Sequence, residues 1–263
     1  MNPGLLDLIL FSEKRKDFLL LLKEGPKDIE EALEKLQVPR TALLPQIKKL
    51  KEENLVIQEE GVYRLSVIGE VIVEKMQPLL KTLEIFEKNE DFWEDRKISP
   101  IPHSLMKRIN ELGDYSLIEP DLSHTFDLNP EFVKYLSASN CIHVFFSYFH
   151  PQFPSFFLGL ATKGIKISLV LSEAVYSRYE EDFKKEGEEF LKLENTSFFV
   201  LNRKDIEIPA LVTSTNKIMI LGLFNESGRF DRQYLTSLEK EAIKWGEELF
   251  QHYRNMSREI KLS

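Results

Sequence analysis

Five histidines and one cysteine are the side chains in this 263-residue chain best suited to nucleophilic or metal chemistry. His103, His124, His143, His150 and His252 lie far apart, without the close His/Cys spacing of a zinc site. Asp121-Leu122-Ser123-His124 would chelate an ion only if a third ligand arrived from elsewhere. Tyr148-Phe149-His150-Pro151 is the other histidine-centred cluster. Neither has a nucleophile placed to form a triad, and satisfied loop histidines are the simpler reading. Cys141 opens an apolar run and reads as a small buried hydrophobe. GxSxG, GxGxxG and P-loop glycine patterns are missing. The expectation is therefore no catalytic residue, no metal and no cofactor. Polar groups able to reach phosphates or base edges gather instead at Arg40, Thr41, Gln46, Lys48 and Lys49.

A helix must hold those groups. Leu43, Ile47 and Leu50 recur at i, i+4 and i+7, so one face packs inward and the polar set faces out. Thr41 is positioned to cap this helix, and Pro45 is tolerable only if the helix starts near Thr41. Leu55-Val56-Ile57, a charged tight loop with Gly61, and Val62-Tyr63-Arg64-Leu65 form a two-stranded ribbon. Two helices precede it, at 14–24 and 28–36, with Gly25-Pro26 and Val38-Pro39 as breaks. Three helices followed by a ribbon make a winged helix-turn-helix, the arrangement that presents a recognition helix to the major groove. The run KKLKEENLV, Lys48 to Val56, resembles the helix–wing junction of arsenical-resistance-regulator-type winged-helix repressors. The expected DNA contacts are Arg40, Thr41, Ala42, Pro45, Gln46, Lys48, Lys49, Tyr63 and Arg64.

Charge argues the other way. Residues 1–75 carry 12 Lys and Arg against 14 Asp and Glu, and Glu59 and Glu60 sit at the wing tip. The whole chain has a net charge of −8, which disfavours nonspecific nucleic-acid binding. A hydrophobic content of 43% over this length suits two modest cores. One cysteine fits a reducing cytoplasm, the N-terminus is too acidic for a signal peptide, and no stretch reaches the ~18 apolar residues of a membrane helix.

The domain organisation expected is a winged helix-turn-helix over 1–75, a long linker and dimerisation helix over 66–97, and an α/β effector domain over 98–263. The helix carries Ile68, Ile72, Met76, Leu79, Leu83 and Phe86 at steps of three and four, with Pro78 expected to kink it. Beyond Ile98-Ser99-Pro100-Ile101-Pro102, helices alternate with strands at 141–149, 165–171, 197–201, 208–212 and 217–224, closing with a helix at 235–258 whose inner face includes Leu238. That alternation predicts a mostly parallel sheet covered by helices.

Gly113 to Leu136 (GDYSLIEPDLSHTFDLNPEFVKYL), HVFFSYFHPQFP, Gly228-Arg229-Phe230-Asp231 and WGEELFQHYR together resemble the effector domain of the archaeal methanogenesis regulatory proteins. The likeness spans nearly the whole chain and implies a DNA-binding regulator with a sensing domain. The second domain also weakly resembles half of a phospholipase D fold. The His, Lys and Asp of that active site would fall on Ile206, Ile208 and Thr213, so the chemistry is missing.

The reading is a DNA-binding transcriptional regulator, a homodimer, not an enzyme. Its partners are a double-stranded DNA operator, a second copy and an unknown small-molecule effector, with no membrane. The alternative is a protein-interaction adaptor whose winged helix no longer binds DNA. An effector pocket is expected beyond the carboxyl ends of the strands, at Ser147, Tyr148, His150, Ser172, Asn202 and Arg229.

Overall fold

The computed structural model describes residues 4–120 and 127–261, which leaves the Asp121–His124 cluster outside the described residues. The chain forms two units, Met1–Leu83 and Glu84–Ser263.

The first unit runs α1 (Leu5–Leu10), α2 (Glu13–Lys23), α3 (Ile29–Leu36), α4 (Arg40–Glu52), β1 (Val56–Glu59), β2 (Val62–Leu65) and then α5 (Val67–Glu87). Asp28 caps α3 by accepting from the Glu31 N–H at 2.9 Å, which satisfies one orphan donor of the first turn. Gln37 ends α3 in the left-handed region. Helix α4 starts at Arg40 with Pro39 in the capping position, so Thr41 lies inside the first turn and caps nothing. Pro45 sits deeper in α4 than expected. It withholds a hydrogen bond from the carbonyl of Thr41, an exposed residue whose oxygen water can serve. Strands β1 and β2 pair antiparallel across Glu60-Gly61, both with positive φ, as a two-residue hairpin turn of this hand requires. Phe18, Leu19, Leu43, Ile47, Leu50, Leu55, Tyr63 and Val73 fill the core between helices and ribbon. A winged helix-turn-helix is the result.

Helix α5 begins two residues after β2 and packs its first turn against Leu55, the residue before β1. A Cβ on Gly69 would stand 2.1 Å from the Leu55 carbonyl oxygen, so only glycine fits there. The helix runs unbroken through Pro78 and stops at Glu87, short of the expected 97; Asn89 leaves helical geometry and a short α6 (Glu90–Glu94) follows. The single apolar stripe read from sequence divides in two. Val73 and Met76 enter the first unit's core, while Val67, Ile68, Val71, Leu79 and Leu83 are exposed.

The second unit continues with α7 (His103–Met106), a 3₁₀ turn (Ile109–Leu112), β3 (Ser116–Ile118), α8 (Pro130–Ser137), β4 (Cys141–Phe146), α9 (Phe153–Thr162), β5 (Lys166–Ser172), α10 (Glu173–Asp182) and α11 (Lys184–Leu191). Then come β6 (Thr196–Leu201), β7 (Leu211–Thr215), β8 (Met219–Gly222), β9 (Tyr234–Ser237), α12 (Lys240–Asn255) and β10 (Arg258–Ile260). One sheet has the order β10-β6-β5-β4-β7-β8-β9-β3. Among the described residues, only β4–β5 and β5–β6 pair parallel; the other pairings in this sheet are antiparallel. The α/β class stands, but the sheet is mixed rather than mostly parallel. Consecutive short connections from β7 through β9 can only return antiparallel, because a parallel neighbour needs a crossover of a dozen or more residues. Leu238 falls before α12 and is exposed, so it is not on that helix's inner face.

Side chains alternate across the sheet. Ile142, Val144 and Phe146 of β4 face a core covered by α8 to α11, whereas Phe145 faces Trp245, Leu249 and Tyr253 of α12. The loop from Phe224 to Gln233 is fastened to the end of α6 by Arg96. This guanidinium is almost fully buried, donates to Asp231 at 2.6 Å and to Gln233, and lies 4.5 Å over the Phe92 ring. Backbone bonds from Lys97 to Phe224 and from Glu226 to Asp95 close the same seam.

Candidate functional site

Two surfaces carry polar chemistry, one in each unit. On the first, α4 buries Leu43, Ile47 and Leu50 and exposes Arg40, Thr41, Pro45, Lys48 and Lys49, while Ala42 and Gln46 are half-buried. Several of these cations already hold an acid. Arg40 pairs with Glu30, Lys48 lies 3.9 Å from Glu52, and Arg64 donates to Glu59 at 3.0 Å. Exposed pairs of this kind contribute about 0–1 kcal/mol, so a phosphate can displace the acid. Gln46 accepts from Arg15 at 2.7 Å, a contact with α2 that sequence spacing does not reveal. It ties the half-buried Gln46 amide to α2.

Tyr63 does not belong to this surface. Its ring is buried, meets Phe18 edge-on at 5.9 Å, and its backbone exchanges both hydrogen bonds with Lys27. In β2 the residues alternate, so Tyr63 and Leu65 point to the core and Val62 and Arg64 point out. Arg64 remains on the wing's outer face.

In the second unit a cavity of about 400 Å³ opens at one end of the sheet, where β4, β8 and β3 finish and β7 and β9 begin. Aromatic rings line much of it: Phe132 from α8, Tyr148 and His150 after β4, Phe153 from α9, Phe230 before β9 and Tyr234 within it. Asp127, Glu119 and Arg232 supply charge. The His150 ring is buried, and burial together with the nearby Arg232 charge pushes its pKa below the ordinary histidine value despite the opposing pull of Asp127. Its Nδ1 accepts from the Gln152 N–H at 3.2 Å. Burial and the neighbouring Glu131 push the Tyr234 phenol up to about 12, so it stays protonated.

Of the six residues expected at an effector site, the structure brings Tyr148 and His150 to this cavity. Ser147 donates to the Pro209 carbonyl, and Ser172 caps α10 through the Val175 N–H. Ser172 ends β5 and Asn202 follows β6, on the other half of the sheet from the cavity. Arg229 is exposed, and the arginine that lines the cavity is Arg232, three residues on. The Tyr148-Phe149-His150-Pro151 cluster was the sequence signal; Asp127, Phe132 and Phe230 lie in segments that carry the family resemblance but were not expected at the pocket, and Arg232 had no signal of its own.

The sheet's other face holds a thiol–imidazole–carboxylate row. Cys141 Sγ lies 3.3 Å from His143 Nε2, His143 Nδ1 meets Glu247, and Gln251 donates to Glu247 at 2.7 Å. Burial, and then the Glu247 charge, push the Cys141 thiol up, which makes a thiolate nucleophile unfavourable. His143 stacks on Phe250 at 5.1 Å, and the row acts as packing between β4 and α12. At the positions where phospholipase D chemistry would need His, Lys and Asp, Ile206 and Ile208 pack against the core and Thr213 is buried in β7. Among the described residues, no three His, Cys, Asp or Glu side chains are placed to hold a metal ion, and no helix is long and apolar enough to cross a membrane.

Comparison with known proteins gives matches to both units. Residues 6–84 match the N-terminal domain, and residues 125–256 the middle domain, of the methanogenesis regulatory protein FilR1. The methanogenesis regulatory protein FilR1 of Methanothrix harundinacea (strain 6Ac) is 24% identical over 254 residues, covering 95% of this chain and 56% of that protein. The chain thus spans little more than half the length of that relative. Among solved structures, the archaeal chromatin protein TrmBL2 overlaps 94% of both chains at 11% identity and a TM-score of 0.43. The phospholipase D family member Nuc of Salmonella typhimurium covers 57% of this chain at 12% identity and a TM-score of 0.40.

Proposed function

Since the chain belongs to the family of the methanogenesis regulatory protein FilR1, we propose that it is a DNA-binding transcriptional regulator with an effector-binding second unit. The observation that carries the reading is the division of α4. Its apolar stripe is consumed by the core, and Arg40, Thr41, Lys48 and Lys49 are left projecting from a helix held in front of a two-stranded wing. In this reading α4 enters the major groove, Gln46 reads a base edge, and Arg64 follows the backbone.

Symmetric half-sites call for a dimer. Val67, Val71, Leu79 and Leu83 recur every four residues on the outer side of α5, interrupted only by Lys75, and are exposed. A second copy of the chain would cover that row. A protein acting on the chromosome in this way works in the cytoplasm. The cavity of the second unit then takes a small-molecule effector.

The adaptor alternative rests on Glu59 and Glu60 at the wing tip and on the acidic balance of the first unit. A gel-shift titration on the protein's own promoter, at two salt concentrations, separates the two. Lys49→Ala should weaken cognate and random DNA alike and flatten the salt slope. Gln46→Ala should cost ~1–3 kcal/mol at the cognate site alone. Wild-type protein that binds neither DNA at low salt would leave the adaptor reading standing.

A further inference from the structure

We propose that the cavity of the second unit is built for a planar, ring-bearing organic anion of single charge, its ring held among Phe132, Phe153 and Phe230 and its acidic group on Arg232 and His150. This rests on the reading that the cavity takes an effector.

The walls select for a ring. Tyr148 and Phe230 meet edge to face at 5.0 Å, the His150 and Phe153 rings lie 5.0 Å apart, and Phe132 stacks against Phe153 at 6.1 Å. Faces and edges of several rings around about 400 Å³ offer stacking and edge contacts to a flat guest, and the space is of small-ligand size.

The polar groups select for an acceptor. A neutral imidazole whose Nδ1 accepts a backbone N–H carries its proton on Nε2, so His150 enters the cavity as a donor. Arg232 has φ +68, a conformation non-glycine residues seldom adopt, and the loop Asn225–Gln233 is stapled in place through Arg96. Strain of that kind persists where the surroundings over-determine it, and here it sets a guanidinium on the cavity wall. A guanidinium has five N–H donors, enough to hold a protein partner and a ligand's oxygen together. The carboxylates restrict the guest further. Glu119 already accepts from Gln233 at 3.4 Å, and Asp127 would repel a second negative charge on the ligand. A cation would meet Arg232 in the same space.

The test titrates the full chain with three fluorescent probes of similar size. Anilinonaphthalene sulfonate is a ring-bearing anion, N-phenylnaphthylamine is its neutral counterpart, and thioflavin T is a ring-bearing cation. The sulfonate should bind about tenfold or more tighter than the other two, the scale of one charge-assisted hydrogen bond. Arg232→Gln should erase that preference, and Arg232→Lys should restore part of it. If the neutral or cationic probe binds as tightly as the sulfonate, and Phe230→Leu weakens it, the cavity reading stands and the anionic class is overturned. If neither Phe230→Leu nor Arg232→Gln changes any probe's affinity, the probes sit elsewhere and both readings fall.

Discussion

Replacing Arg96 by methionine is the sharpest test of how the cavity is held. The guanidinium side chain is 2% exposed and donates to Asp231 at 2.6 Å and to Gln233. Its contacts to Asp95 are longer, at 3.3 Å, and contribute little. Methionine keeps contact with the Phe92 ring through its thioether. What is lost is a charge-assisted bond pair, with Asp231 left behind. Breaking a fully buried pair costs ~3–5 kcal/mol, but Asp231 is 36% exposed and can take up water, so about 2–3 kcal/mol is expected here. The loss should fall on the second unit alone, because the first has its own core. Tryptophan fluorescence isolates it: the chain has two tryptophans, Trp93 and Trp245, both buried in the second unit. Urea unfolding followed by fluorescence should move to a lower midpoint with an unchanged slope, while the helical signal of the first unit stays in place. Arg96→Lys should recover only part of it: one nitrogen, Nη2, makes both bonds, but an ammonium has no planar face to lay over the Phe92 ring. Anilinonaphthalene sulfonate affinity should fall with it, since the loop carrying Phe230 and Arg232 loses its clamp. A loss below about 0.5 kcal/mol would refute the assignment, since that is the range of ordinary surface substitutions. So would a loss shared by both units.

Leu83→Glu should convert a dimer to monomer in sedimentation at tens of micromolar, because an unpaired charge in an apolar seam is costly; an unaltered dimer would move the interface off α5. Gly69→Ala should destabilise the first unit by ~3 kcal/mol through the clash with the Leu55 oxygen, read by circular dichroism, with the tryptophan transition unmoved. His150 and His252 both have folded pKa values below the ordinary 6.5, so the unfolded chain binds protons first as pH drops. Their contribution to second-unit stability is complete above about 6.5 and is lost as pH falls through the folded values. His150→Gln keeps an acceptor for the Gln152 N–H and should flatten that slope; an unchanged slope would show that His150 does not titrate there.

How much of this was legible in the sequence depends on whether a property is local. The winged helix-turn-helix was, because Leu43, Ile47 and Leu50 mark a helical face and Gly61 marks a hairpin within a few residues of each other. Facing direction in the wing was not: Tyr63 and Arg64 are neighbours, and a shift of one residue exchanges core for surface. Tyr63 is as good a phosphate donor as it is a core ring, and only Phe18, far away in the chain, decides between them.

Strand direction failed for a different reason. An uninterrupted apolar run records that both faces of a strand are covered, and α12 on one side with α8 to α11 on the other cover β7 and β8 as fully as β4 and β5. Burial therefore mimics the pattern expected of parallel strands while the connections dictate antiparallel ones. The cavity inherits this. Tyr148 and His150 could be found because they end an aromatic strand, but Phe132, Phe230 and Arg232 reach them only because the sheet order places β9 and β3 beyond β7 and β8 on the same side of β4. Arg229 and Arg232 are indistinguishable by type and nearly so by position. The left-handed backbone at Arg232 and the clamp from Arg96 separate them, and neither can be read until the chain has folded.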